Sequence, residues 1–152
     1  MSSLELSFRF LAWSDQKVVD EINTLMKSLH SKSDPLTVDE LILILNRYVV
    51  AVAEIGGRIV GVAMMDQMNK LSLRGDGSIH TMYTSVDESH VEAVLGGLVS
   101  LLVDRAQQDR YFRIDVSLGF NRPQTSAICK VLERQGFREK PTTRLRLSLN
   151  SA

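Results

Sequence analysis

Residues 85–97, SVDESHVEAVLGG, are the first candidate for chemistry, because they connect a predicted strand to a predicted helix. Free backbone amides at the start of a helix can bind phosphate groups. The same residues also fit a plain helix start, since Ser89 and Glu92 have the Ser-x-x-Glu spacing of a capping box. Such a box would occupy two backbone amides and add a carboxylate beside any bound phosphate. The sequence therefore leaves two interpretations, a phosphate site and a capped helix without a ligand.

His80 is the second candidate, and it lies six residues before Val86 on the same predicted strand. An imidazole titrates near neutral pH and can take a proton from an ammonium group, directly or through water. Alternation along the strand predicts that His80 shares a face with Met82 and Thr84. The competing interpretation is a half-buried strand histidine that bonds to the backbone.

The composition is that of a soluble globular protein, and it disfavours several classes of function. Of 152 residues, 44% are apolar, and 18 Lys and Arg balance 18 Asp and Glu, which does not favour nucleic-acid binding. Cys129 is the single cysteine and the three histidines are scattered, so we expect no internal disulfide and no metal site. No apolar run is long enough for a signal peptide or a membrane span. We expect one cytoplasmic domain over residues 1–152 that binds neither nucleic acid nor membrane.

Apolar periodicity and turn residues predict an alternation of strands and helices. The first predicted elements are a strand over 4–13, a helix after Ser14, and a second helix that begins after a Thr37/Glu40 capping box and ends near Arg47. Two strands around Gly56-Gly57 and a strand over 78–86 follow. A helix, a strand over 111–118, a helix that ends at Gly136 and a strand over 143–149 complete the order. Antiparallel hairpins together with a β-α-β crossover predict an α/β (α+β) fold with a mixed sheet and four flanking helices. We expect six strands, or seven if residues 137–140 pair briefly.

This order of elements resembles the GNAT superfamily of acyl-CoA-dependent N-acyltransferases along the whole chain. The segments that carry the resemblance are RFLAWSDQKVVDEINTLM, VAVAEIGGRIVGVAMM and ERQGF. The resemblance implies a single GNAT-like domain whose fourth and fifth strands splay apart. It also implies acetyl-CoA as co-substrate and direct acetyl transfer to the primary amine of a small molecule or peptide. A homodimer through a sheet edge is left open.

The resemblance also assigns cofactor contacts to three parts of the chain. They are the strand end Thr84, Ser85 and Val86, the segment Val91, Glu92, Ala93, Val94, Leu95, Gly96 and Gly97, and the pair Asn121 and Arg122. The family's phosphate loop, Arg/Gln-x-x-Gly-x-Gly/Ala, falls on residues 91–96, where Gly96 alone matches. An ordinary helix entry explains Asn121 and Arg122 equally well, because Pro123 follows them.

For catalysis, the resemblance places His80 near the position where some family members carry a catalytic carboxylate. The tyrosine that serves as general acid in the family corresponds to Leu132, which has no hydroxyl group. Cys129 is more typical of a small buried residue than of an acid, and Tyr83 is an outside candidate. These departures leave a second hypothesis, a catalytically silent GNAT-like module that acts as a ligand sensor or interaction subunit. A third is an unrelated α/β domain with the same pattern.

Overall fold

A computed structural model describes residues 5–29, 32, 34–67, 75–116, 125–139 and 147. Its elements are β1 (Leu6–Phe10), α1 (Gln16–Leu29), α2 (Val38–Arg47), β2 (Tyr48–Ile55), β3 (Arg58–Asp66), β4 (Asp76–Thr84), α3 (Glu88–Gln108), β5 (Arg113–Val116) and α4 (Thr125–Arg134). The predicted order is therefore confirmed as far as α4. None of the helices in the described ranges is long and apolar enough to cross a bilayer.

The strands form one mixed sheet in the order β1-β2-β3-β4-β5. The first three pairings are antiparallel, and β4 and β5 are parallel, as the mixed-sheet prediction requires. Within the described ranges the sheet has five strands, not the six or seven that we expected. Residues 137–139 follow α4 without strand structure. The predicted strand over 143–149 lies outside the described residues except for Leu147.

Helices cover both faces of the sheet, which explains why β2 is apolar at successive positions rather than at alternate ones. Val49, Ala51 and Ala53 belong to a core formed with α3 and α4. Val50 and Val52 belong to a second core formed with α1 and α2. Because side chains alternate along a strand, this one run of small and β-branched residues supplies both cores.

Local signals set most of the boundaries. The predicted capping box of α2 is present: the Glu40 amide donates to Thr37 Oγ1 at 3.2 Å, and Glu40 Oε1 accepts from the Thr37 amide at 3.2 Å. The predicted cap of α1 was wrong by one residue. Asp15, rather than Ser14, accepts the Val18 amide, at 2.8 Å. The Ser14 hydroxyl instead donates to the Val38 carbonyl at 3.1 Å and ties the start of α2 to this loop.

Glycine makes the two predicted chain reversals possible. Gly56 and Gly57 have φ angles of 61° and 78° between β2 and β3, and Gly136 has a φ of 92° after α4. Side chains other than glycine rarely adopt these angles. The predicted hairpin and the predicted end of α4 are both confirmed.

Helix α3 packs closely against the sheet, because Gly61 and Gly97 leave room for the side chains opposite them. A Cβ at Gly97 would stand 2.0 Å from Phe8 Cζ on β1. A Cβ at Gly61 on β3 would stand 2.8 Å from Val94 Cγ1 on α3. Gly96, one residue before Gly97, has nothing within 4 Å of such an atom. The structure therefore gives Gly97 a packing role.

We expect Gly97→Ala to lower the free energy of unfolding by about 1 to 3 kcal/mol, since Phe8 must move to admit the new methyl group. Gly96→Ala is the matched control on the same helix. It should raise the free energy of unfolding by roughly 0.5 to 1 kcal/mol, because alanine favours the helix and meets no neighbour there. Urea unfolding of both variants measures the two values. Equal effects at the two positions would contradict the close packing of α3.

Candidate functional site

A β-bulge in β4 places His80. Met64 of β3 lies opposite Thr81, whereas the next residue, Met65, lies opposite Ile79. His80 is therefore the extra residue on β4, without a partner position in β3. A bulge of this kind bends a strand and redirects its side chains.

The bulge reverses the face that His80 occupies. Ile79 and Met82 are both buried in the core against α3, at 2% and 3% exposure, although simple alternation would separate them. The prediction that His80 shares a face with Met82 and Thr84 was therefore wrong. Its ring contacts Tyr48 and Asp66, which lie opposite each other in the β2–β3 ladder. Opposite residues share a face, so His80 lies on the α1 and α2 side of the sheet.

The His80 ring is held by a carboxylate and an aromatic ring. His80 Nε2 lies 2.5 Å from Asp66 Oδ1. The Tyr48 ring meets the imidazole edge to face, with centroids 5.7 Å apart and planes at 76°. The His80 and Asp66 side chains are 45% and 39% exposed, so the pair is accessible to a ligand. Asp66 was not among the predicted site residues. The signal that could have identified it is its position in MMDQM, residues 64–68, at the end of a strand.

A cavity of about 510 Å³ lies on the same face, between α1, α2 and the strands. Its lining is mainly apolar, with two carboxylates and three polar side chains: Ile22, Asn23, Met26, Asp34, Pro35, Leu36, Glu40, Leu41, Ile44, Val50, Val62, Met64, Thr81 and Tyr83. Thr81, the residue after His80, is part of this lining, whereas His80 itself is not. No Lys, Arg or His is among these lining residues. The cavity is therefore suited to a ligand with an apolar body and a positive group.

The wall of this cavity is fixed by hydrogen bonds between α1 and the segment before α2. Asn23 Nδ2 donates to the Leu36 carbonyl at 2.9 Å, and Asn23 Oδ1 accepts from the Leu36 amide at 2.7 Å. One amide side chain thus satisfies both backbone groups of Leu36. This arrangement keeps the wall in place before any ligand arrives.

The end of β4 is anchored through a buried hydroxyl group. Thr84 is fully buried, and its Oγ1 donates to the Val60 carbonyl at 2.8 Å and accepts from the Val86 amide at 3.3 Å. The Ser85 amide donates to the same Val60 carbonyl at 3.0 Å. The turn that leads to α3 is therefore tied to the extra residue of β3, since Val60 has no partner position in β2.

The start of α3 differs from the capping box that the sequence predicted. The helix begins at Glu88 with Asp87 as N-cap, and Asp87 makes no side-chain bond to the helix amides. Ser89 Oγ donates to Asp87 Oδ1 at 2.7 Å. Glu92 turns instead to α4, with Arg134 Nη1 at 2.7 Å and Lys130 Nζ at 3.9 Å. The predicted Ser89/Glu92 box was wrong, because these cations attract the carboxylate away from the helix start.

Asp87 has its own partner in the first turn of the helix. His90 Nδ1 lies 2.5 Å from Asp87 Oδ1. This hydrogen bond, together with the bond from Ser89, holds the pKa of the Asp87 carboxyl below its ordinary value. The amides of Glu88 and Ser89 receive no cap from Asp87, so this end of the helix keeps the positive end of its dipole accessible.

Several acetyltransferases among solved structures share this architecture. An aminoglycoside acetyltransferase from an uncultured soil metagenomic sample, solved with sisomicin, gives a TM-score of 0.74 at 15% identity over 95% of this chain and 97% of that one. A ribosomal-protein-alanine N-acetyltransferase from Brucella melitensis biovar Abortus 2308 gives 0.71 at 16% identity over 95% and 100%. An aminoglycoside N-acetyltransferase solved with CoA gives 0.66 at 13% identity over 96% of both chains. This chain has the GNAT fold.

No protein-family model matches the sequence, and no curated protein is a significant match. The similarity between this chain and the solved acetyltransferases is therefore a similarity of fold. Within the described residues, no group of three or more His, Cys, Asp or Glu side chains is placed to hold a metal ion.

The phosphate loop expected of a GNAT protein is helical here. All of residues 91–97 lie inside α3, beyond its first three positions. Val91, Val94 and Leu95 are buried against the sheet, and amides at these depths serve the helix itself. Residues 91–97 therefore belong to a helix rather than to a loop, and their contact with a cofactor stays a prediction. Asn121 and Arg122 lie outside the described residues.

The residues considered for the general acid lie on different faces of the sheet. Leu132 of α4 is buried in the core that α4 forms with α3, at 6% exposure. Cys129 is a free, half-buried thiol on α4, the helix that packs on the opposite face of the sheet from His80. Tyr83 lines the cavity, which lies on the same face of the sheet as His80. Of the three residues, Tyr83 is therefore the one that offers a hydroxyl group on this face.

We expect Thr84→Val to lower the free energy of unfolding by about 1 to 2 kcal/mol, because the Val60 carbonyl and the Val86 amide lose a buried partner while the volume is kept. Thr81→Val is the control, since Thr81 is half buried and lines the cavity. Chemical unfolding measures both changes. A Thr84 variant as stable as the control would show that the hydroxyl does not anchor this turn.

Proposed function

We propose that this protein is an N-acetyltransferase that transfers an acetyl group from acetyl-CoA to the primary amine of a small molecule or peptide. The observation that carries the proposal is the bulge in β4. It turns His80 to the face of the sheet that carries the cavity, within a fold shared with N-acetyltransferases. An exposed imidazole on this face supports a role in proton transfer.

The first turn of α3 and the end of β4 are the parts of the chain that fit the donor. The amides of Glu88 and Ser89 lie at the positive end of a 21-residue helix without a side-chain cap from Asp87, which suits a pyrophosphate group. The backbone of Thr84, Ser85 and Val86 leads directly to this helix and would accompany the pantetheine arm. A neighbour of the same fold was solved with CoA. Asn121 and Arg122 remain proposed contacts.

The cavity favours an acceptor that arrives as an ammonium ion. Asp34 and Glu40 supply carboxylates at its lining, and none of the lining residues in the described part of the chain is cationic. Opposite charges at such partly solvated sites attract by about 1 kcal/mol or more. The apolar remainder of the lining would bury the carbon skeleton of the acceptor.

His80 acts as the general base in this proposal. Its imidazole takes one proton from the ammonium group and leaves the nitrogen lone pair available for attack. Acetyl-CoA supplies the thioester carbon, to which the amine nitrogen bonds as the carbon–sulfur bond breaks. After the attack the nitrogen still carries one surplus proton, which it loses as the carbon–sulfur bond breaks. Without a tyrosine at the position of Leu132, the thiolate gains a proton from Tyr83 or from water, and that donor recovers a proton from the nitrogen.

We expect His80→Ala to lower kcat by roughly 100- to 10,000-fold, the usual contribution of a general base. The affinity for acetyl-CoA should stay within about twofold, because the imidazole contacts Asp66 and Tyr48 rather than the start of α3. Steady-state kinetics with free-thiol detection measures kcat, and calorimetry measures the affinity. Unchanged turnover would remove His80 from the mechanism.

Donor binding is tested by isothermal titration calorimetry with acetyl-CoA at low and moderate salt. We expect a Kd in the micromolar range, about −8 kcal/mol. Asp87→Asn should bind several-fold more tightly at low salt, since it removes a negative charge beside the phosphates and keeps an equally good N-cap residue. Asp104→Asn, on an exposed part of α3, is the charge-matched control. No binding at millimolar acetyl-CoA would refute the proposal, and equal affinities would place the phosphates elsewhere.

A catalytically silent ligand sensor or interaction subunit is the second candidate function. It is favoured by the helix that replaces the phosphate loop and by the Glu92 contacts with Arg134 and Lys130 that join α3 to α4. This alternative expects no thiol release from acetyl-CoA with any amine in a broad screen. Release that depends on His80 would exclude it.

A further inference from the structure

We infer that Asp66 is a positioning residue that fixes the orientation and the tautomer of His80. The inference deepens the proposed function and rests on it for its catalytic consequence. Its structural content, the control of one imidazole by one carboxylate, can be measured separately.

The backbone at Asp66 is fixed by two neighbouring elements. Asp66 lies opposite Tyr48 at the end of the β2–β3 ladder. The Tyr111 hydroxyl group, next to β5, donates to the Asp66 carbonyl at 2.5 Å. A Cβ at Gly77 would stand 2.5 Å from the Tyr111 ring, so the glycine on β4 leaves room for that ring. These contacts hold the backbone of Asp66 in place, although Asp66 is the last residue of β3.

The position of His80 is fixed independently by the bulge. His80 has no partner position in β3, which allows its side chain to turn toward the carboxylate. Tyr48 packs edge to face against the imidazole from β2. Two of the groups that contact the ring are therefore the Asp66 carboxylate and the Tyr48 ring on the neighbouring strands. Two separate features of the sheet bring the carboxylate to the imidazole.

The chemical consequence concerns the two ring nitrogens. A carboxylate accepts hydrogen bonds and donates none, so the nitrogen beside Asp66 Oδ1, Nε2, carries the hydrogen in the neutral ring. The lone pair is then on Nδ1, which is the atom that receives the ammonium proton. The carboxylate also compensates the positive charge of the imidazolium that results. No other bond is made or broken in this step.

The test compares Asp66→Ala and Asp66→Asn with the wild-type chain, and Asp104→Ala serves as a control at an exposed site on α3. Long-range ¹H–¹⁵N correlation spectra at alkaline pH report the hydrogen on each nitrogen, with His80→Gln to assign the signals. In the wild-type chain we expect one protonated nitrogen and one bare nitrogen. In Asp66→Ala the two ¹⁵N shifts should approach each other, because the tautomers then mix.

Kinetics provides the second readout. We expect kcat of Asp66→Ala to fall by roughly 10- to 100-fold, a part of the contribution of a general base. KM for acetyl-CoA should be unchanged, and so should the melting temperature, because an exposed pair contributes little to stability. Asp104→Ala should match the wild-type chain in every measurement.

The outcomes separate this inference from the proposed function. If the wild-type chain shows turnover, and Asp66→Ala has the same ¹⁵N shifts and the same kcat as the wild-type chain, the inference is overturned and the proposed function still holds. A wild-type chain without turnover would overturn the proposed function. Even then, unchanged shifts in Asp66→Ala would refute the control of His80 by Asp66, and converging shifts would support it.

Discussion

The close contact between α3 and the sheet determines the position of the first turn of α3 relative to the end of β4, where we propose that the donor binds. Gly61 and Gly97 let the helix approach until Val94 and Phe8 fill the space that side chains would take. The buried stripe of α3 begins at Val91, one turn after the helix starts. Because that stripe is locked into the core, the first turn lies at a fixed place beside the end of β4. Packing, and not a glycine-rich loop, sets the geometry of this end.

The acceptor side depends on a different constraint, the one extra residue in β4. Before His80, the strand pairs with β5 over Asp76–Ile79, and after it β4 pairs with β3 as far as Thr84. The bulge lets His80 and Thr81, two consecutive residues, lie on the same face, which regular alternation forbids. The His80 imidazole and a wall of the cavity therefore come from adjacent positions in the chain. The sheet gains this arrangement without burying the imidazole.

Sequence reasoning succeeded where neighbouring residues decide the structure. The Thr37/Glu40 box, the Gly56-Gly57 hairpin and the order of elements depend on local contacts and on periodicity. It failed where distant residues compete. Glu92 could not be placed without knowing that Arg134 of α4 lies within 2.7 Å. The Asp66 partner of His80 likewise depends on strand register, which no pattern in a single strand reveals. Placing the phosphate-loop motif on residues 91–96 by counting without gaps does not show whether those residues form a loop or a helix.

The electrostatics at the start of α3 differ from what the bare sequence indicates. Asp87, Glu88 and Glu92 in a row suggest a surface that repels any phosphate. In the structure Asp87 pairs with His90, and Glu92 pairs with Arg134. The lowered pKa of Asp87 keeps its carboxylate ionised, and so attractive to the imidazole, into acidic solution. The Glu92 charge lies close to the Arg134 counter-charge, so its field at a distance is weak, and the helix dipole has more influence on an approaching anion than the residue types suggest. This arrangement supports the proposal that the start of α3 accepts the phosphates of the donor, despite its acidic sequence.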